Sequence, residues 1–184
     1  VPSDESLRLE TELFSLREVR TEDLDGICAV FEGNPGFLAL RDNVAAPSGG
    51  YDPASVRQYC EGALLEPSRH LLSVTDNKSG TIVGLVDFID QSPADELPWI
   101  GLVIVHRAHQ RTGAGTAVVQ AVAAHLASLG NPAVRMAVID ENTVGLRFVE
   151  SLGFEPCGSA PVTTKGGLRE ALLFELALPL PDSV

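Results

Sequence analysis

The sequence predicts a mixed α/β (α+β) domain of about six to seven strands and about four helices. Three observations carry that expectation. Two pairs of apolar runs, across residues 71–89 and 156–178, are joined by turn-rich links and read as hairpins. Between them, residues 99–154 alternate apolar strand runs with helical stripes in a β-α-β-α order. The 184 residues fit one domain over 1–184, with residues 1–10 and 180–184 read as flexible tails.

Residues 13–19 alternate well enough for a first strand. Thr21 then reads as an N-cap, with Glu22 and Asp23 in a first turn where the helix dipole favours acid. Leu24, Ile27, Cys28 and Phe31 recur at helical spacing up to Gly33. Residues 34–51, rich in Pro and Gly, read as a mobile loop or a broken helix. Asp52 followed by Pro53 is a cap with proline at the first helical position, opening a helix to about Leu65.

Strands over 71–75 and 81–89 flank the turn 76–80, and a polar loop over 90–98 leads into residues 99–105. That run is apolar on both faces, as a central strand requires. Val118, Val122, Leu126 and Leu129 form a helical stripe that Gly130, Asn131 and Pro132 terminate. A strand over 133–139, a helix over 142–152 stopped at Gly153, and the closing hairpin complete the chain.

Charge and composition exclude several classes of function. With 13 Lys+Arg against 25 Asp+Glu the formal charge is −12, the wrong sign for nucleic acid or an anionic membrane surface. No run approaches the length of a membrane span, and the first residues lack a basic region followed by an apolar stretch. Cys28, Cys60 and Cys157 are scattered and odd in number, which suits free thiols and no metal. A cytoplasmic location is the expectation.

The segment from Trp99 to Phe154 carries the chemistry. A buried strand runs through His106, Arg107, Ala108 and His109 into Gln110-Arg111-Thr112-Gly113-Ala114-Gly115, and a helix follows at once. Glycines at 113 and 115 let an anion approach the backbone. Amides from about Arg111 to Thr116 are the unsatisfied donors of the helix start and, with its dipole, form a phosphate cradle. His106, Arg107, His109 and Arg111 reverse the sign of charge locally, as a polyanionic cofactor needs. A nucleotide-triphosphatase loop requires a Lys that is absent. The dinucleotide fingerprint lacks its third glycine, and residues 106–112 intervene where its strand should enter the first glycine directly. A dinucleotide-dependent oxidoreductase is therefore the weaker alternative.

Gln110 to Gly115 matches Q/R-x-x-G-x-G/A and so resembles the acetyl-CoA pyrophosphate loop of the GNAT superfamily of N-acetyltransferases. Downstream, Asn142-Thr143-Val144-Gly145-Leu146-Arg147-Phe148-Val149-Glu150-Ser151-Leu152-Gly153-Phe154 is similar to that family's N-x-x-A-x-x-F/L-Y-x-x-x-G-F segment. Arg107 stands where the family's lead-in has Pro. The resemblance implies a mostly antiparallel twisted sheet whose central parallel pair, here 99–105 and 133–139, is splayed apart. It also implies acetyl-CoA as co-substrate, with no metal. Cofactor contacts would come from Val103, Val105, Gln110, Arg111, Thr112, Gly113, Ala114, Gly115, Thr116, Asn142 and Phe148. The backbone N–H of Val103 would hold the thioester oxygen.

The implied reaction is acetyl transfer to a primary amine of a small molecule or peptide by direct attack in a ternary complex. An alkyl amine has a pKa near ~10, so only about one molecule in a thousand is free base at neutral pH, and a base must take its proton. Many relatives carry a Glu at the start of the central strand, where this chain has Trp99. Glu96 and Asp87 are the candidates instead. The family's proton-donating Tyr aligns with Val149. Those two departures keep a non-catalytic acyl-CoA-binding or sensing module open as the alternative. A homodimer is a further possibility that the resemblance brings.

Overall fold

A computed structural model of the chain describes residues 6–37, 52–164 and 167–179. One eight-stranded sheet forms the centre, in the order β1-β2-β3-β4-β5-β6-β8-β7. Its strands are β1 (Arg8–Glu10), β2 (Phe14–Glu18), β3 (Arg69–Asp76), β4 (Ile82–Ile89), β5 (Trp99–Val105), β6 (Ala133–Ile139), β7 (Glu155–Thr164) and β8 (Gly167–Ala177). Every neighbouring pair is antiparallel except β5 and β6. The sequence count of six to seven strands falls one to two short of the eight, and β1 goes unread because it lies in the stretch read as a flexible tail. Arg8–Glu10 holds a single apolar residue, and only its pairing Leu9↔Leu16 and the packing of Leu7 and Leu9 on the core make it a strand.

Helices cover both faces. The helices α1 (Leu24–Glu32) and α2 (Pro53–Ala63) bury Ile27, Val30, Phe31, Val56 and Cys60 against Leu71, Leu85 and Ile104. On the opposite face, α3 (Ala114–Ser128) and α4 (Thr143–Ser151) set Val118, Val122, Leu126 and Val149 against Leu72, Val86, Phe88, Val134 and Phe174. The local signals mostly hold. Asp52 accepts from the amides of Ala54 and Ser55 at the start of α2, with Pro53 at its first position. Thr21 is not the cap expected. Thr21–Asp23 is a 3-10 turn, and the Asp23 carboxylate accepts the Arg20 N–H at 2.8 Å while it pairs with Arg17. Of the loop expected over 34–51, residues 38–51 lie outside the described part, as do 1–5 and 180–184 of the expected tails. No helix of the described residues is long and apolar enough to cross a membrane.

A histidine under the sheet makes stability depend on pH. His125 on α3 meets the edge of Phe88, which also stacks on His70 with ring centres 4.9 Å apart. His70 faces Asp90 at 2.9 Å and Glu18 at 3.6 Å. Burial, and then the neighbouring His70, hold the His125 pKa below its ordinary value, against a weaker opposite pull from Asp90. A base with a lowered folded pKa gives stability that is whole above the unfolded value of about 6.5 and declines as pH falls through it. Thermal midpoints of wild type and His125→Gln at pH 7.5 and 5.5 check this. The variant is expected to lose less on acidification; equal losses would remove His125 as the cause.

Candidate active site

The centre of the sheet opens because β5 and β6 pair only at Trp99↔Arg135 and Ile100↔Met136. Pairing of β4 with β5 steps from Asp87↔Leu102 to Phe88↔Ile100, so Gly101 is an extra, bulged residue. Ile100 and Leu102 consequently pack on opposite faces although they are two positions apart. Beyond the bulge, β5 stays with β4 and β6 stays with β8, so the two central strands part. The His106 N–H donates to the Val83 carbonyl. By antiparallel alternation the backbone groups of Ile104 and Leu102 then face β4, and those of Val105 and Val103 turn into the gap. The Val105 carbonyl accepts two side-chain amides there, from Gln110 at 2.9 Å and Asn34 at 3.1 Å.

At the mouth of the gap the chain makes a 3-10 turn over Arg107–His109 and then enters α3. Arg111 and Gly113 both have left-handed φ, 63° and 89°. Alternation of this kind turns successive amides toward one point, and the cost of the conformation falls on Arg111, which has a Cβ. The helix ladder begins with Ala117 N–H donating to Gly113 O, so the amides of 114–116 project from the helix end. A Cβ on Gly113 would meet nothing within 4 Å, whereas one on Gly115 would lie 3.1 Å from the Phe148 ring. The first glycine thus opens the cradle and the second lets Phe148 seal its flank. A diphosphate fits this donor set: main-chain amides, a positive helix end and an open face.

Asn142 caps α4, its side-chain oxygen accepting the Gly145 N–H at 2.9 Å, which leaves the amide nitrogen as its other polar group. Val149 is buried in the core and has no group to donate to a leaving thiolate. The two carboxylates singled out from sequence sit in contrasting places. Asp87 is 4% exposed, and its oxygens accept from Arg69 at 2.9 and 2.6 Å and from the Tyr59 hydroxyl. Burial, and then the Asp87 charge, push the Tyr59 pKa up. Glu96 is exposed, in a turn with φ 60°, three residues before β5 begins.

Trp99 stands where the family pattern has its acid, and its indole N–H donates to Asp95 at 3.0 Å. Arg135 bridges Asp95 and Glu175, each at 2.8 Å. Burial alone would raise the Asp95 pKa, but the donors Trp99, Leu97 N–H and Arg135 together lower it. Sequence reasoning missed Asp95, Arg135 and Asn34. The 95/99 spacing holds a weak signal for the first; nothing local marks the others.

The GNAT acetyltransferase family model matches residues 38–154. Among solved structures, a GCN5-related N-acetyltransferase from Brucella melitensis superposes with a TM-score of 0.78 at 19% identity, covering 96% of this chain and 80% of that one. A probable acetyltransferase of the GNAT family from Chromobacterium violaceum ATCC 12472 gives 0.77 at 16% identity, over 96% and 92% of the two chains. An acetyltransferase from Thermus thermophilus gives 0.71 at 20% identity, over 94% and 100%. No curated protein matches the sequence. A mostly antiparallel sheet with one splayed parallel pair is the fold this chain shares with those structures. The chain belongs to the GNAT acetyltransferase family, and the dinucleotide alternative falls.

Proposed function

We propose that the protein transfers an acetyl group from acetyl-CoA to a primary amine of a small molecule or peptide, by direct attack. The observation that carries this reading is the gap between β5 and β6, with Val103 main-chain groups turned into it and the cradle of residues 111–116 at its mouth. Acetyl-CoA, when bound, supplies an activated thioester. Gly113, Ala114, Gly115 and Thr116 would hold its diphosphate through backbone amides, with Arg111 and Thr112 beside them. Phe148 and the Asn142 amide would border the arm. The Val103 N–H offers a donor for the developing oxyanion at a fixed position on a rigid strand.

Proton removal falls to a carboxylate that still has a free oxygen. Asp87 has its oxygens engaged by Arg69 and Tyr59. The Glu96 carboxylate accepts no hydrogen bond from the described residues, and it lies three residues before β5 begins. Glu96, directly or through water, is therefore assigned the base. The net charge of −12 favours a cationic acceptor by general attraction.

Release of CoA thiol from acetyl-CoA, followed across a panel of polyamines, aminoglycosides and basic peptides, tests the reading. Turnover with at least one amine is expected, and Glu96→Gln should lower kcat by about a hundredfold at neutral pH. Tight acetyl-CoA binding with no turnover of any amine would replace this reading with a binding or sensing module.

A further inference from the structure

Asn34 follows α1 and is 8% exposed, yet no step of the proposed reaction uses it. Its amide nitrogen donates to Val30 O at 2.7 Å and to Val105 O at 3.1 Å. Its side-chain oxygen accepts from the Gln110 amide at 2.6 Å, and the same Gln110 nitrogen donates to Val105 O at 2.9 Å. The triangle closes: both amide nitrogens use their two N–H groups, and the Val105 carbonyl fills both lone pairs. Turning the Asn34 amide around would set its oxygen against two carbonyls, so the network fixes the orientation. Beside it, His106 lies so close to Gly33 that a Cβ there would be 2.6 Å from the ring. The end of α1 is thereby joined to the lead-in of the anion cradle at two points.

On the acetyl-CoA reading above, we propose that Asn34 is a positioning residue for the donor, acting with Gln110 as one unit. Gln110 is thereby directed to the strand end, away from any contact with the diphosphate. Two consequences follow from the geometry. The cradle is anchored at the residue that precedes it, so its amides are pre-aimed and little order has to be gained on binding. The Val105 carbonyl is also closed to the pantetheine arm, whose first free acceptor on that edge of β5 is Val103. Loss of the clamp lets the arm pair two residues nearer the mouth, about 6.6 Å away at the rise of a strand, which misplaces the thioester.

Calorimetric titration with CoA of wild type, Asn34→Ala, Gln110→Met, Gln110→Arg and the Asn34→Ala/Gln110→Met double variant tests this, alongside thermal midpoints of the unliganded proteins. Asn34→Ala and Gln110→Met should each weaken CoA about tenfold, and the double variant should be no weaker than the worse single one, as expected of groups acting together. Gln110→Met strips the buried Asn34 oxygen of its donor, so it should lower the thermal midpoint by a few degrees yet stay fully folded at the temperature of the titration, which separates positioning from folding. Gln110→Arg keeps a fork of donors and should stay within about threefold of wild type. Wild-type affinity in folded Gln110→Met, additive losses in the double variant, or a Gln110→Arg as weak as Gln110→Met would each overturn the clamp. Absence of CoA binding by wild type itself would instead bring down the reading it rests on, and the clamp with it.

Discussion

Gly113→Glu is expected to cost at least about a hundredfold in CoA affinity while the protein remains folded. Gly113 is the N-cap of α3 at φ 89°, and nothing lies within 4 Å of where its Cβ would stand. A side chain there meets open space, so the core is untouched. The left-handed backbone costs an L-residue about 1–2 kcal/mol, a tolerable loss for a domain of this size. Ligand binding suffers far more, since the added carboxylate fills the anion's place and opposes its charge where the helix dipole had favoured it. Gly113→Lys separates the two causes: equal bulk with the opposite charge should recover part of the affinity. The measurement is calorimetry with CoA, with circular dichroism to establish folding. A folded Gly113→Glu protein that binds CoA as wild type does would mean the diphosphate sits elsewhere.

The turn into α3 is readable in the sequence because everything it needs is local. Two glycines two apart, a preceding apolar strand and a following helical stripe mark a strand-to-helix turn without reference to the rest of the chain. The same holds for the α2 cap, where Asp52 and Pro53 act on their immediate neighbours. Legibility fails where a residue's role is set across the sheet. Nothing local to the motif announces that the Gln110 amide is held by Asn34, 76 residues away in sequence. Gly101 reads as one more small residue in an apolar run, and only the pairing of β4 with β5 reveals the bulge that turns Leu102 to the other face. Asp95 and Arg135 become a pair only once β5 and β6 lie side by side. Arg8–Glu10 carries too little apolar content to announce a strand by itself.

Asp87→Asn should lower the free energy of unfolding by about 3 kcal/mol and leave turnover per folded molecule nearly unchanged. The carboxylate is a candidate base because it lies on the strand next to β5, opposite Leu102. Its surroundings argue for a structural task. Arg69 reaches it through Nε at 2.9 Å and a terminal nitrogen at 2.6 Å, while Tyr59 donates from α2, so one side chain ties β3, β4 and α2 together. The hydrogen bond to Asp87 also pushes the Arg69 pKa up, against the effect of burial, so that cation cannot escape the pair by neutralising. An amide in place of the carboxylate keeps the shape but removes the charge that compensates the guanidinium, and it turns an N–H₂ toward one of the donors. Breaking a fully buried pair costs about 3–5 kcal/mol; Arg69, at 21% exposure, recovers some hydration, so the lower end applies. Tyr59→Phe, which removes one donor and no charge, should cost about 1 kcal/mol. Urea unfolding gives the stabilities, and initial rates at low temperature, normalised to the folded fraction, give the activities. An Asp87→Asn protein as stable as wild type and catalytically dead would move the base from Glu96 to Asp87; a weakened but active one leaves the carboxylate as the tie between β3, β4 and α2.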